Sequence, residues 1–405
     1  MDWAQLILLA VLSPLFLFPS PRFLWVFLAV PIFWIARWVS NRTFFARSVL
    51  DWPIAIIGLS ALGSTLGSPE IQTSLVKICG LVFGILMFYA LQNVLSTGKT
   101  LRLAMFSFIG LGAAIAIFSL LGMQWPSTRE PITRVPIDSL AKVIPRFPWK
   151  FPGAEDGFNA NAIAGTLLLF VPIAAVLLLL PCFRDGDSFY MRGERKYFCY
   201  LFTVVLIIMP VLFLTQSIES WIALVLSVGL VGIPRRWKIK TAILVLALGA
   251  ASALLVRYWK GPEDVSVSGR LGGRATFWSL GLQAIKKHPV FGIGMNRFRL
   301  NPIIFYHDAH AHNQLIHTGA ELGLPAMIAY VALLLLAGYM CWVVWRDSKT
   351  SPWLRAVARA LAASQLAFFI FGIGDAIPLG AKTGIFFWVS LSFIAAAYNM
   401  TRENR

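Results

Sequence analysis

The chain has 405 residues, of which 58% are hydrophobic and only 13% charged, with a mean hydropathy of +0.74; this composition excludes an ordinary soluble domain. The formal net charge of +17 is not the footprint of a nucleic-acid binder, because no soluble segment carries a basic stripe interleaved with stacking aromatics. The cysteines Cys79, Cys182, Cys199 and Cys341 lie in or beside apolar runs without paired spacing, which argues against a disulfide framework or a metal ribbon.

A bilayer core needs about 20 apolar residues per helix. On that rule the chain reads as an all-α, polytopic membrane protein of about twelve spans, a single membrane domain over 1–405. The spans are expected at 4–20, 23–38, 50–67, 71–94, 101–123, 160–181, 198–215, 219–233, 240–257, 324–345, 354–374 and 383–400. The first apolar run has neither a basic leader nor a small-residue cleavage site, so it reads as a retained span. Every even-numbered exit is basic: Arg37, Arg42 and Arg47 follow the second span, Arg192, Arg195 and Lys196 the sixth, and Arg346 and Lys349 the tenth. Lysine and arginine in short loops prefer the cytoplasmic side, which places both termini there and two long connections, 124–159 and 258–323, on the outer face. The first is rich in proline and carries Arg129, Arg134, Lys142, Arg146 and Lys150; it reads as a turn-rich cover.

The second connection gathers polar groups that the rest of the chain almost excludes. Residues 273–287 read as an amphipathic helix that places Arg274 and Trp278 on one face, stopped by Pro289. Gly292 and Gly294 then make a tight turn before Arg297 and Arg299. Between 306 and 325 lie four of the five histidines, His307, His310, His312 and His317, with Asp308, Asn313 and Glu321. Asn313 suits a helix N-cap, 314–322 a short helix, Gly323 its left-handed end and Pro325 the start of the next span. His312 falls just before that helix, where the positive dipole end disfavours imidazolium, so it reads as a neutral proton acceptor. Asn313, His317 and Glu321, spaced by four, share a face. Two plainer readings stand beside this one: interfacial histidines as solvated loop residues, and Arg274 as an arginine snorkelling to the surface. The histidines with the nearby aspartate are also ligand-type residues for zinc or another transition metal. Without a neighbouring cysteine or a helical His-Glu-x-x-His pattern, no metal and no other cofactor is expected.

With these residues in place, the chain resembles the O-antigen ligase and polymerase superfamily of bacterial envelope glycosyltransferases. The resemblance rests on Arg274-x-x-x-Trp278, on Pro289, Gly292 and Gly294, and on His312-Asn313 followed after nine residues by Gly323 before a span; it covers about 270–330. It implies a GT-C-like membrane fold in the bacterial inner membrane. It also implies metal-independent, inverting transfer of a glycan from a polyprenyl-diphosphate carrier to an acceptor at the periplasmic face, most like ligation of O-antigen to lipid A-core. In that setting His312 is the general base and Arg274 holds the diphosphate, with Arg270, Arg297, Arg299, Trp278, His310, Asn313 and Glu321 as substrate-binding candidates. Polymerisation of the glycan and glycosylation of a protein are alternatives within the class. A transporter, using Asp51, Lys77, Asp375 and Lys382 as intramembrane charges, is the alternative outside it. The chain departs from the family where Ser-Arg-Gly is usual: Gln216 to Ser220 offer Ile218 and Glu219 instead. It departs again at Ala326, where the family has Gly, Thr or Tyr.

A topology reporter fused after Pro152 or Arg299 is expected to read on the outer face, and one after Lys196 or Lys238 on the cytoplasmic face. A cytoplasmic signal at Arg299 contradicts the orientation.

Overall fold

Backbone surrounded by lipid must satisfy its own hydrogen bonds, and among the described residues this chain does so with helices. The computed structural model describes residues 2–20, 29–42, 44–124, 143–147, 151, 154, 156–180, 195–232, 267–300 and 310–403. The helices are α1 (Asp2–Leu17), α2 (Ala29–Asn41), α3 (Asp51–Leu66), α4 (Ile71–Val94), α5 (Gly98–Gly122), α6 (Ala160–Leu167) and α7 (Val171–Leu179). They continue as α8 (Arg195–Leu214), α9 (Ile218–Ser227), α10 (Val267–Lys287), α11 (Gln314–Leu322), α12 (Leu324–Arg346), α13 (Pro352–Gly374) and α14 (Ile385–Glu403).

Seven segments among the described residues are long and apolar enough to cross a membrane: Ile71–Val94, Gly98–Gly122, Ala160–Leu179, Arg195–Leu214, Leu324–Arg346, Pro352–Gly374 and Lys382–Glu403. The expected spans 4–20, 50–67 and 219–233 are helical but shorter, and 23–38 is described only from Ala29. The expected span 240–257 lies outside the described residues. The chain is therefore a multi-pass helical membrane protein.

It divides into two compact units. One comprises Met1–Phe106, Trp278–Thr350 and Asp375–Arg405, the other Ser107–Phe277 and Ser351–Gly374. In the first, α1 lays Leu9, Leu12 and Phe16 against Phe83, Leu86 and Ala90 of α4, with Ile385 of α14 in the same core. The rings of Phe16 and Phe83 stack at 5.0 Å between centroids. Small residues let α4 and its neighbours close up, as expected where lipid supplies no hydrophobic drive between helices. A Cβ on Gly84 would overlap the Trp388 ring, and one on Gly80 the carbonyl of Gly380.

In the second unit a proline decides the path. Asn159 caps α6, its side chain accepting from the N–H groups of Asn161 and Ala162 at 2.9 and 3.2 Å. Pro172 near the start of α7 brings no N–H, and the helix breaks over 168–170. A carbonyl left over at the break is taken up across the unit: the hydroxyl of Ser364, buried on α13, donates to Leu169 O at 2.9 Å. Arg359, one turn earlier on α13 and buried, donates to the carbonyls of Val231 and Gly232 at 3.3 Å each, at the π-helical end of the α9 segment.

If close approach on α4 is what Gly84 provides, Gly84→Leu should lower the thermal midpoint in detergent, by an overpacking cost of about 1–3 kcal/mol or more. Gly338→Leu, at a position with nothing within 4 Å, should leave the midpoint unchanged.

Candidate active site

The short helix α11 begins and ends where its residue types dictate. Asn313 is extended, and its side-chain oxygen accepts from Ile316 N–H at 3.0 Å. At the other end Gly323 has φ +87, and a side chain there would run into the backbone of Val290, so both the conformation and the space require glycine. The turn after α10 braces this helix. Ile293 N–H donates to Ala320 O at 2.9 Å and Leu324 N–H to Pro289 O at 2.7 Å, and Gly292, at φ +67, lies flat on the Glu321 backbone. Ser64 of α3 donates to Glu321 O at 2.6 Å, Ser74 of α4 to Met295 O at 2.7 Å, and Asn296 to Thr73 O at 2.9 Å. The helix and its turn are thus held by α3 and α4.

On the residue before the cap, the backbone is strained: His312 has φ +48, a region uncommon outside glycine. The indole N–H of Trp278 donates to His312 O at 3.1 Å and helps hold that conformation. The imidazole of His312 then faces Asp375, its Nδ1 3.2 Å from Oδ1. His310 brings Nε2 to the same oxygen at 3.4 Å, while its Nδ1 accepts the His312 N–H at 3.4 Å. The two rings meet edge to face at 4.6 Å.

Asp375 follows α13 directly and is 2% exposed, and Ala376 N–H donates to it at 2.8 Å. Burial pushes its carboxyl upward, but the hydrogen bond from His312 and the charges of His310 and His312, with the Ala376 N–H, outweigh that and hold it below the ordinary carboxylate range. Against an ionised carboxylate each facing nitrogen must be a donor. In its neutral form His312 therefore carries its proton on Nδ1 and its lone pair on Nε2, an arrangement that suits an oriented base.

His310, His312 and Asp375 are also, among the described residues, the set that could hold a metal, with one ligand atom from each lying within 4.8 Å of the others. Two imidazoles and a carboxylate suit a transition metal. The same contacts can be read as hydrogen bonds, and the His312 N–H directed at His310 Nδ1 leaves Nε2 of that ring for either role.

Beneath this trio lies a second buried pair. His317 Nε2 is 3.4 Å from Glu321 Oε2, the Glu321 carboxylate accepts Phe298 N–H at 3.2 Å, and the Phe298 ring meets His317 edge on. Burial pushes His317 down to about 3, with the charges of Lys77 and His312 adding to the effect. Burial pushes Glu321 up to about 7 against the backbone N–H groups of Asn296 and Phe298 and the charges of Lys77 and His310. His317 is thus neutral in the fold, and Glu321 holds a proton that an exposed glutamate would release.

The remaining candidates are spread over both units. In the first, Arg297 is partly buried and Arg299 exposed at the 3-10 turn Phe298–Leu300. In the second, the guanidinium of Arg274 pairs with the carboxylate of Glu219 on α9. The side chain of Arg270, together with His307 and Asp308, lies outside the described residues. The residue that sequence reading did not attach to the histidines is Asp375, 63 positions away from His312. Its only signal was an acid standing between two late apolar runs.

Residues 201–331 match the family model described as O-antigen ligase, a stretch that contains Glu219, Arg274, Trp278, the trio's two histidines and Gly323. No curated protein matches the chain.

The pH dependence of stability should expose Glu321. Its folded value lies above the unfolded one, so its contribution is complete below the ordinary carboxyl range and is lost as pH rises through about 7. Glu321→Gln should therefore gain on the wild type between pH 5 and pH 8, by on the order of 2–3 kcal/mol, read as the difference in unfolding midpoints. A difference independent of pH contradicts the buried proton.

Proposed function

We propose, from the match of residues 201–331 to the O-antigen ligase family model, that the protein transfers a glycan from a polyprenyl-diphosphate carrier to an acceptor hydroxyl at the outer face of the membrane. Ligation of O-antigen to a lipid A-core acceptor in the inner membrane is the form we favour. The observation that carries the reading is the His312 ring turned by Asp375 at the head of α11.

The acceptor O–H gives its proton to Nε2 of His312 as its oxygen attacks the anomeric carbon. The bond from that carbon to the diphosphate oxygen breaks, and the diphosphate leaves with the electron pair on the carrier. A single displacement inverts the anomeric centre. Asp375 holds the base in one tautomer and stabilises the imidazolium that forms. Arg274 meets the diphosphate through its fork of N–H groups, and Arg270, Arg297 and Arg299 supply further positive charge. The leaving group needs no covalent help, so positioning and charge account for most of the acceleration. In this reading the histidines act as base and partner, and no metal takes part.

His312→Ala should lower turnover of a polyprenyl-diphosphate glycan by about 10²–10⁴-fold with the thermal midpoint retained, and a strong chelator should leave the wild type active. Loss on chelation with recovery on adding metal makes the histidines ligands instead. Arg274→Gln should lose most turnover and Arg274→Lys recover only part of it, because an ammonium cannot make the forked contact.

A further inference from the structure

We infer that Glu219 is a specificity-determining residue that keeps singly charged lipid phosphates off Arg274 and yields that arginine to a diphosphate. The inference rests on the proposed role of Arg274. In the second unit the Arg274 guanidinium is already paired with the Glu219 carboxylate. Their side chains are 23% and 20% exposed, so the pair is reachable yet partly removed from water.

The carboxylate has anchors of its own. Ser217 donates its hydroxyl to Glu219 Oε2 at 3.3 Å, and Glu219 stands in the first turn of α9, where the helix favours an anion. Gly374 closes another side: a Cβ there would lie 3.0 Å from Glu219 Cγ and 3.6 Å from Arg274 Nη1. The carboxylate therefore remains in place when Arg274 changes partner.

A forked guanidinium–carboxylate contact uses the same N–H groups that a phosphate would use. An arginine without such a resident anion, in a bilayer, would be occupied by the phosphodiesters of anionic lipids, which carry no cation of their own and are present in large excess over any donor. Against Glu219 such a headgroup offers one negative charge in exchange for one and gains nothing. A diphosphate offers more charge and a second set of oxygens, so it displaces the carboxylate. Selection thus comes from a built-in competitor rather than from an added contact.

The test is equilibrium binding of farnesyl diphosphate to the full-length protein in nanodiscs of zwitterionic lipid and in discs containing phosphatidylglycerol. Binding of the diphosphate by the wild type should change little between the two disc types beyond the surface-potential effect shared by all variants. Glu219→Gln should bind about tenfold tighter in zwitterionic discs and lose that gain when the anionic lipid is present. Glu219→Asp, which keeps the charge, should behave as the wild type and serves where the amide variant is poorly folded. If Glu219→Gln weakens diphosphate binding as Arg274→Gln does, Glu219 aims the arginine instead of competing for it, and the inference fails while the role of Arg274 stands. If Glu219→Gln binds like the wild type in both discs, the inference also fails. If Arg274→Gln binds the diphosphate normally, the reading beneath the inference is the part that is wrong.

Discussion

Two imidazoles share one carboxylate oxygen, and much of the first unit is arranged so that they can. Asp375 is buried at the end of α13, where an unpaired charge would be prohibitive, and His310, His312 and the Ala376 N–H together keep it ionised. The same contact removes the choice of tautomer from His312. A single interaction therefore solves a solvation problem for the carboxylate and an orientation problem for the imidazole.

Meeting Asp375 requires His312 to adopt a left-handed backbone, and that conformation is secured from outside the residue. Trp278 holds its carbonyl, Asn313 starts the helix immediately after it, and the turn at Gly292 supports the far end of α11. Each of these positions belongs to the pattern by which the chain resembles the O-antigen ligase superfamily. Asn313 and Trp278 are thereby engaged in holding His312, and Gly323 is required because the Val290 backbone passes where its side chain would stand. The polar side chains thus do structural work at the same place where their chemistry is wanted.

What was legible in the sequence follows from the range of the forces involved. The helix over 314–322, its Asn313 cap and its glycine end depend on neighbours a few residues apart, and the structure gives the same limits. Apolar length gives the long spans, while α3 and the α9 segment, expected as full spans over 50–67 and 219–233, are shorter apolar helices. The break at 168–170 went unread, since Pro172 near the start of a helix is compatible with either a new helix or a continuous one. The pairings of Asp375 and Glu219 are illegible in the sequence for another reason. Their partners lie far along the chain, and periodicity carries no information on such pairings.

The central claim is that Asp375 acts through His312, and the pH profile of kcat/KM for glycan transfer tests it most directly. On the proposed reading, the acidic limb of the wild type reports the protonation of His312. With Asp375→Asn the imidazolium loses its counter-charge, so the limb should move to lower pH by about one unit or more while the plateau falls. A lower plateau with the limb unmoved would show that Asp375 merely supports the fold, and would contradict the account.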